Sequence, residues 1–138
     1  MYNGLAHVTV TVPEGDLDRA VRFYTETIGL QPRPVPQLQK HELAWFDIGT
    51  SGQQLHIAFG ANPDLNAVRH LCFKVETQKA LLDIQVKLWE HHKRGDDTTP
   101  LSVDAPGVIS TDPAAQGVEY PERFFARDFA GNRLEFSL

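Results

Sequence analysis

LAHVTVTV, residues 5–12, alternates without interruption: His7, Thr9 and Thr11 fall on one side, Val8, Val10 and Val12 on the other. Successive side chains of an extended chain point to opposite faces, so this stretch is a strand with one polar and one apolar face. The pattern returns in VRHLCFKV, residues 68–75, where His70, Cys72 and Lys74 oppose Leu71, Phe73 and Val75. Each strand leads into an amphipathic run. After Pro13-Glu14-Gly15, Asp16 is an N-cap candidate for DLDRAVRFYTETIG, whose Leu17, Ala20, Val21, Tyr24 and Ile28 keep helical spacing until Gly29. After Val75, Thr77 is placed to cap TQKALLDIQVKLWEHHKRG, with Ala80, Leu81, Ile84 and Leu88 on one face and Gly95 at the end. Strand and helix therefore occur twice in the same order.

The segments after the two helices are also similar. In the first half the Pro-rich LQPRPVPQLQ (30–39) reads as a loop or an edge, and HELAWFDIG with QQLHIAFG forms a hairpin around Thr50-Ser51-Gly52. In the second half RFFARDFAGNRLEFSL contains two alternating runs joined by Asp128-Phe129-Ala130-Gly131-Asn132, a hairpin turn composition. With His7 superposed on His70, His56 would fall on position 119, whereas the last strand centres on Glu135, so the second copy carries about 16 extra residues. The Pro-, Asp- and Gly-rich stretch 96–122 holds them, and a loop of that length is a candidate lid. The expected fold is α+β: two tandem βαβββ units forming a curved, cup-like mixed sheet with helices on the outer face. A single domain over 1–138 is expected, with unit one at about 4–60, unit two at about 68–138 and the insertion at 96–122.

Composition narrows the function. A net charge of -5 offers no basic footprint for nucleic acid. No apolar run approaches the roughly 20 residues that span a bilayer, and MYNGLAHV has neither the basic region nor the apolar core of a signal peptide, so a cytoplasmic protein is expected. The single Cys72 excludes an internal disulfide and any CxxC metal knuckle, which leaves His and carboxylate side chains to hold a metal.

Those side chains recur at matching places. Within QQLHIAFG (53–60), His56 shares a face with Gln54 and Ala58, opposite Leu55, Ile57 and Phe59; at the C-terminus Arg133, Glu135 and Ser137 oppose Leu134, Phe136 and Leu138. The first and last strands of each unit thus each put one ligand-type residue on the polar face: His7, His56, His70 and Glu135. A sheet curved toward that face would gather the four. Three imidazoles and one carboxylate suit a divalent transition metal (Fe, Mn, Ni, Co or Zn) better than Mg or Ca.

LAHVTVTV with its histidine, RFYTETIGL at the end of the first helix, RHLCFKV and RDFAGNRLEF together resemble the vicinal oxygen chelate superfamily, which includes glyoxalases, bleomycin-resistance proteins and ring-cleaving dioxygenases; the closing segment is similar to its DPxGNxxE ending. The resemblance implies metal ligands at His7, His56, His70 and Glu135. One departure is that glyoxalases usually place a glutamate where His56 stands. It further implies a small-molecule metalloenzyme, a glyoxalase-like lyase or isomerase or a ring-cleaving dioxygenase, acting on a substrate with neighbouring oxygens. The alternative is a metal-free protein of the bleomycin-resistance type that sequesters a ligand. Fosfomycin-type thiol transfer is less expected, because the chain ends at Leu138 directly after Glu135. Small members of the superfamily are usually dimers, and two-fold pairing is the commonest closed assembly, so a homodimer is expected. Glu135 and Tyr120, the latter carried by the insertion, are the candidate catalytic residues. Arg133, Trp45 and Phe125 are the candidates for substrate contact, Arg133 because it shares the face of Glu135. His91 and His92 sit in the last turn of the second helix, where cations complement the helix dipole.

Overall fold

The computed structural model describes residues 1–61, 64–107 and 122–138. The chain forms two compact units, Met1–Pro63 and Asp64–Leu138. The first contains β1 (His7–Val12), α1 (Leu17–Arg22), β2 (Gln31–Arg33), β3 (Leu43–Asp47) and β4 (Gln54–Phe59). The second contains β5 (His70–Lys74), α2 (Gln78–Arg94), β6 (Ser102–Val103), β7 (Arg123–Arg127) and β8 (Arg133–Ser137). Each is the expected βαβββ unit, and the class is α+β.

The two sheets have the same topology. Their strand orders are β1-β4-β3-β2 and β5-β8-β7-β6. In each, the first strand lies parallel to the last, and the remaining pairs are antiparallel. Such a parallel pair needs a crossover, and each crossover includes the helix that covers the apolar face. In the first unit α1 lies against β3 and β4, over buried Phe46, Leu55 and Ile57. In the second α2 lies against β6 and β7, and its Leu81 and Leu88 are fully buried. Phe136 stacks between Phe73 and Phe124 at centroid distances of 5.3 and 4.8 Å. The apolar halves of the alternations are the cores, and the polar halves face away from the helices.

Local chemistry explains most element boundaries. Thr77 caps α2, its hydroxyl accepting from the Ala80 N–H at 3.1 Å, and Gly95 ends the helix in the left-handed region at φ 72°. Asp16 does not cap α1 with its side chain; the carboxylate accepts from Arg19 at 3.0 Å instead. The first helix also loosens, its Phe23–Thr27 stretch taking π-helical bonding before Gly29 turns the chain. Pro32 sits in β2, at the edge of its sheet, where no central ladder bond is lost.

The start of the insertion is anchored. His91, buried at the end of α2, meets Asp96 Oδ1 at 2.8 Å and Thr98 Oγ1 at 3.1 Å, and His92 Nδ1 donates to the Pro100 carbonyl at 2.8 Å. Hydrogen bonds from His91, Thr98 and Arg94 hold the Asp96 carboxyl well below the usual carboxylate range. Gln85 then donates to the Asp104 carbonyl, and Asp104 Oδ2 accepts from the Phe125 N–H, both at 2.9 Å. Residues 96–104 are thus tied to α2 and β7, and the two histidines do more than complement a dipole. Most of the rest of the insertion, Tyr120 included, lies outside the described residues.

The closing hairpin depends on Asp128, which has no exposed surface. Its Oδ1 accepts from the N–H groups of Ala130 and Asn132, and Oδ2 accepts from the Asn132 amide, all at 2.9 Å. Gly131 supplies the positive φ of 89° that the turn requires. Asp128→Ala strands two backbone donors, and urea unfolding should show a loss of about 1–3 kcal/mol. A change within about 0.5 kcal/mol would show that the turn holds without its carboxylate.

Candidate functional site

Strand register places the polar side chains on a grid. In the first unit His7 lies opposite Gln54, and Gln54 opposite Asp47; one step along, Thr9 lies opposite His56, His56 opposite Trp45 and Trp45 opposite Arg33. In the second unit His70 lies opposite Arg133, and Arg133 opposite Arg127; one step along, Cys72 lies opposite Glu135 and Glu135 opposite Phe125. His56 and Glu135 therefore hold the same grid position, as do His7 and His70. Each unit presents a diagonal pair of ligand-type residues on the face away from its helix.

In the first pair the His7 and His56 rings are parallel, 4.1 Å apart with 8° between their planes. On the other side of His56 lies the Trp45 indole at 4.6 Å and 10°. The imidazole is thus held in a three-ring stack. Its Nε2 lies 2.9 Å from Gln54 Oε1, and Gln54 Nε2 donates to Asp47 Oδ1 at 3.1 Å. Arg33 NH1 reaches the same carboxylate, 3.2 Å from Oδ2. Burial, and then the nearby His7, lower the His56 pKa from its ordinary value, favouring the neutral ring. Trp45 is half-buried, yet its indole N–H is fully buried and meets no acceptor among the described residues.

The second pair is in direct contact. His70 Nε2 lies 2.7 Å from Glu135 Oε2, while His70 Nδ1 donates to the Val68 carbonyl at 2.7 Å. Val68 thereby takes one ring hydrogen, and Nε2 faces an oxygen that only accepts, so a second proton or another cation must stand between them. Arg123 NH1 reaches the other Glu135 oxygen at 3.3 Å. The Phe125 ring meets His70 edge-on at 5.5 Å, and the Arg133 guanidinium lies over the same ring, 4.1 Å from its centroid. Arg127 NH1 and NH2 donate to the carbonyls of Gly131 and Ala67, a clasp on the chain ends of this sheet. Burial pushes the Cys72 thiol up, which disfavours a thiolate nucleophile beside Glu135. Beside Glu135 opens a cleft of about 490 Å³, lined by Glu122, Arg123, Ser137 and Leu138 as well.

The predicted site residues His7, His56 and Trp45 thus meet within the first unit, and His70, Glu135, Phe125 and Arg133 share one face of the second. Tyr120 lies outside the described residues. Among the described residues no group of three or more His, Cys, Asp or Glu is arranged to hold a metal ion. Two participants, Gln54 and Arg123, are not among the residues expected from sequence. Gln54 was legible in principle, being two residues before His56 on the same face; Arg123 was not, because only strand register sets it beside Glu135.

No helix among the described residues is long and apolar enough to cross a membrane. No protein of curated function matches the chain. Solved structures do. A candidate glyoxalase family protein from Bacillus anthracis is 28% identical, with a TM-score of 0.66, covering 99% of this chain and 94% of its own. A point mutant of the fosfomycin resistance protein FosX of Listeria monocytogenes, crystallised with Mn(II) and 1S,2S-dihydroxypropylphosphonic acid, is 14% identical, with a TM-score of 0.65, covering 99% of this chain and 90% of its own. FosX with Mn(II) and sulfate is 15% identical with the same TM-score and coverage. At those identities the FosX likeness is one of fold. The model of the Glyoxalase/Bleomycin resistance protein/Dioxygenase superfamily matches residues 4–136, and this chain belongs to that superfamily.

Proposed function

We propose that this chain is a divalent-metal-dependent enzyme of small molecules with neighbouring oxygens, of the glyoxalase or dioxygenase type. His7 and His56 of one unit act with His70 and Glu135 of the other, drawn from the same chain or from a second copy in a cytoplasmic homodimer. The observation that carries the reading is the facing of His70 Nε2 and Glu135 Oε2 at 2.7 Å, with the remaining ring hydrogen committed to Val68. Two ligands about 2.0–2.2 Å from one ion, at adjacent coordination positions, lie about 3 Å apart, so this gap fits a cation as well as a proton. The Val68 carbonyl is also the kind of outer partner that orients a ligating imidazole. His56 contributes a ring biased toward neutrality, the form that ligates.

The donor set fits a transition metal, and Mn(II) is the ion found with FosX. When bound, such an ion polarises adjacent substrate oxygens and stabilises negative charge developing on them. The chain's own residues do the rest. Arg123 holds Glu135 in place, Phe125 fixes the tilt of His70, and the cleft beside Glu135 is of a size for a small ligand. Arg133, Trp45 and Phe125 offer a cation and two aromatic faces to substrate, and Tyr120 is retained as a candidate acid or base.

Elemental analysis of protein purified without added metal, followed by calorimetric titration with Mn(II) and Zn(II), tests the reading. About one ion per chain is expected; no metal and no binding heat would refute it. That outcome would favour a metal-free ligand-binding protein, a reading supported by the Arg123 contact, which balances the Glu135 charge without any ion.

A further inference from the structure

We propose that Gln54 is a positioning residue: turned by Asp47, it keeps the ring hydrogen of His56 on Nε2, so that the lone pair His56 offers to metal or substrate is on Nδ1. Which groups can donate decides the matter. The Asp47 carboxylate only accepts, and Arg33 NH1 lies 3.4 and 3.2 Å from its two oxygens. The end of the Gln54 carboxamide that faces Asp47 at 3.1 Å must therefore be its NH2. The other end is then the carbonyl oxygen, which also only accepts. It lies 2.9 Å from His56 Nε2, so that nitrogen must be the donor. One hydrogen remains on a neutral imidazole, and Nε2 holds it. Nδ1 is left with the lone pair.

The stack removes the other freedom. A ring flip would bring Cε1 to the place of Nε2 and carry Nδ1 to the opposite edge, but His56 lies between His7 and Trp45 with interplanar angles of 8° and 10°, and a turn about its Cβ–Cγ bond would drive it through one of them. The matching positions of the second unit hold no such relay. At the position matching Gln54 stands Arg133, and at the position matching Asp47 stands Arg127, so neither residue there can accept a hydrogen from the last strand. The two histidine pairs are consequently opposite in character: His70 presents Nε2 to a carboxylate, His56 presents Nδ1.

This role for Gln54 deepens the proposed metal site and rests on it for its function, but its first test needs no metal. Long-range 1H–15N NMR of the metal-free protein at pH 8, with the His56 ring assigned by comparison with His56→Gln, should show a protonated Nε2 and an unprotonated Nδ1. Asp47→Ala frees the carboxamide to rotate, so the two ring nitrogens should move toward averaged shifts. Adding Gln54→Glu to Asp47→Ala should restore the wild-type pattern, since a carboxylate has no donor end to present. A merely structural role for Gln54 would leave the shifts unmoved by Asp47→Ala, and that result overturns the proposal, as does a protonated Nδ1 in the wild type. In a second arm Zn(II) is added. Retention of the Nε2 proton while Nδ1 shifts supports the assignment, and loss of the Nε2 proton refutes it. If no histidine nitrogen responds to Zn(II), the metal reading fails, and the metal-free spectra still decide the role of Gln54.

Discussion

His70→Ala should raise the dissociation constant for Mn(II) or Zn(II) by more than about 100-fold, since removal of an outer partner of a metal ligand alone costs 10–100-fold. The side chain is well placed for a clean experiment. It stands on the exposed face of β5 while Leu71 and Phe73 point toward the helix side, so its loss opens no hole in the core. Glu135 keeps the Arg123 contact, which limits the cost of leaving a carboxylate only a tenth exposed without its imidazole. Thermal unfolding of the metal-free variant should accordingly stay close to that of the wild type. Calorimetry at matched pH measures the affinity. Unchanged affinity would remove His70 from the site, and collapse of the metal-free fold would make the His70–Glu135 contact a structural ion pair rather than a ligand pair.

Phe136→Ala should cost about 3–5 kcal/mol of folding stability. Phe136 is 1% exposed and sits between the Phe73 and Phe124 rings, with Leu134, fully buried, on the same strand and face. Truncation removes apolar area and leaves a void between two large rings held by neighbouring strands, so relaxation can recover little of the loss. Urea unfolding of the variant and of Leu38→Ser, at a position 95% exposed, gives the contrast, the latter changing stability by no more than about 0.5 kcal/mol. A cost below about 1 kcal/mol at Phe136 would mean that the second unit repacks freely. Because Phe136 follows Glu135 directly, Phe136→Ala should also loosen the ligand pair on the opposite face.

The order of elements and the face each side chain takes were legible in the residues alone. His7, His70, His56 and Glu135 each sit in a run where every second residue is apolar, and burial of Leu55, Ile57, Leu134 and Phe136 leaves no choice about which side they occupy. The turn chemistry was equally local. Asp128, Gly131 and Asn132 form their hairpin with one another, and Thr77 caps α2 within a single turn of chain. Where the local signal was incomplete, a nearby partner decided: Asp16 was drawn to Arg19, and residues 96–104, the start of the Pro-, Asp- and Gly-rich stretch, are held by His91, His92 and Gln85 from α2.

The meeting of polar groups on the open face belongs to the packed chain. Arg133 shares the face of Glu135 in sequence, yet Arg123 from the adjacent strand reaches its carboxylate, and Arg133 turns to the Phe125 ring. Gln54 meets Asp47 for the same kind of reason. The alternation has a period of two, so sliding one strand past its neighbour by two residues leaves every apolar side chain facing the helix and the sequence pattern unchanged. Hydrophobic burial fixes the face and is indifferent to such a slip. The partners across the strands, and with them the tautomer of His56 and the cation beside Glu135, come from the register that hairpin turns and interlocking core rings select.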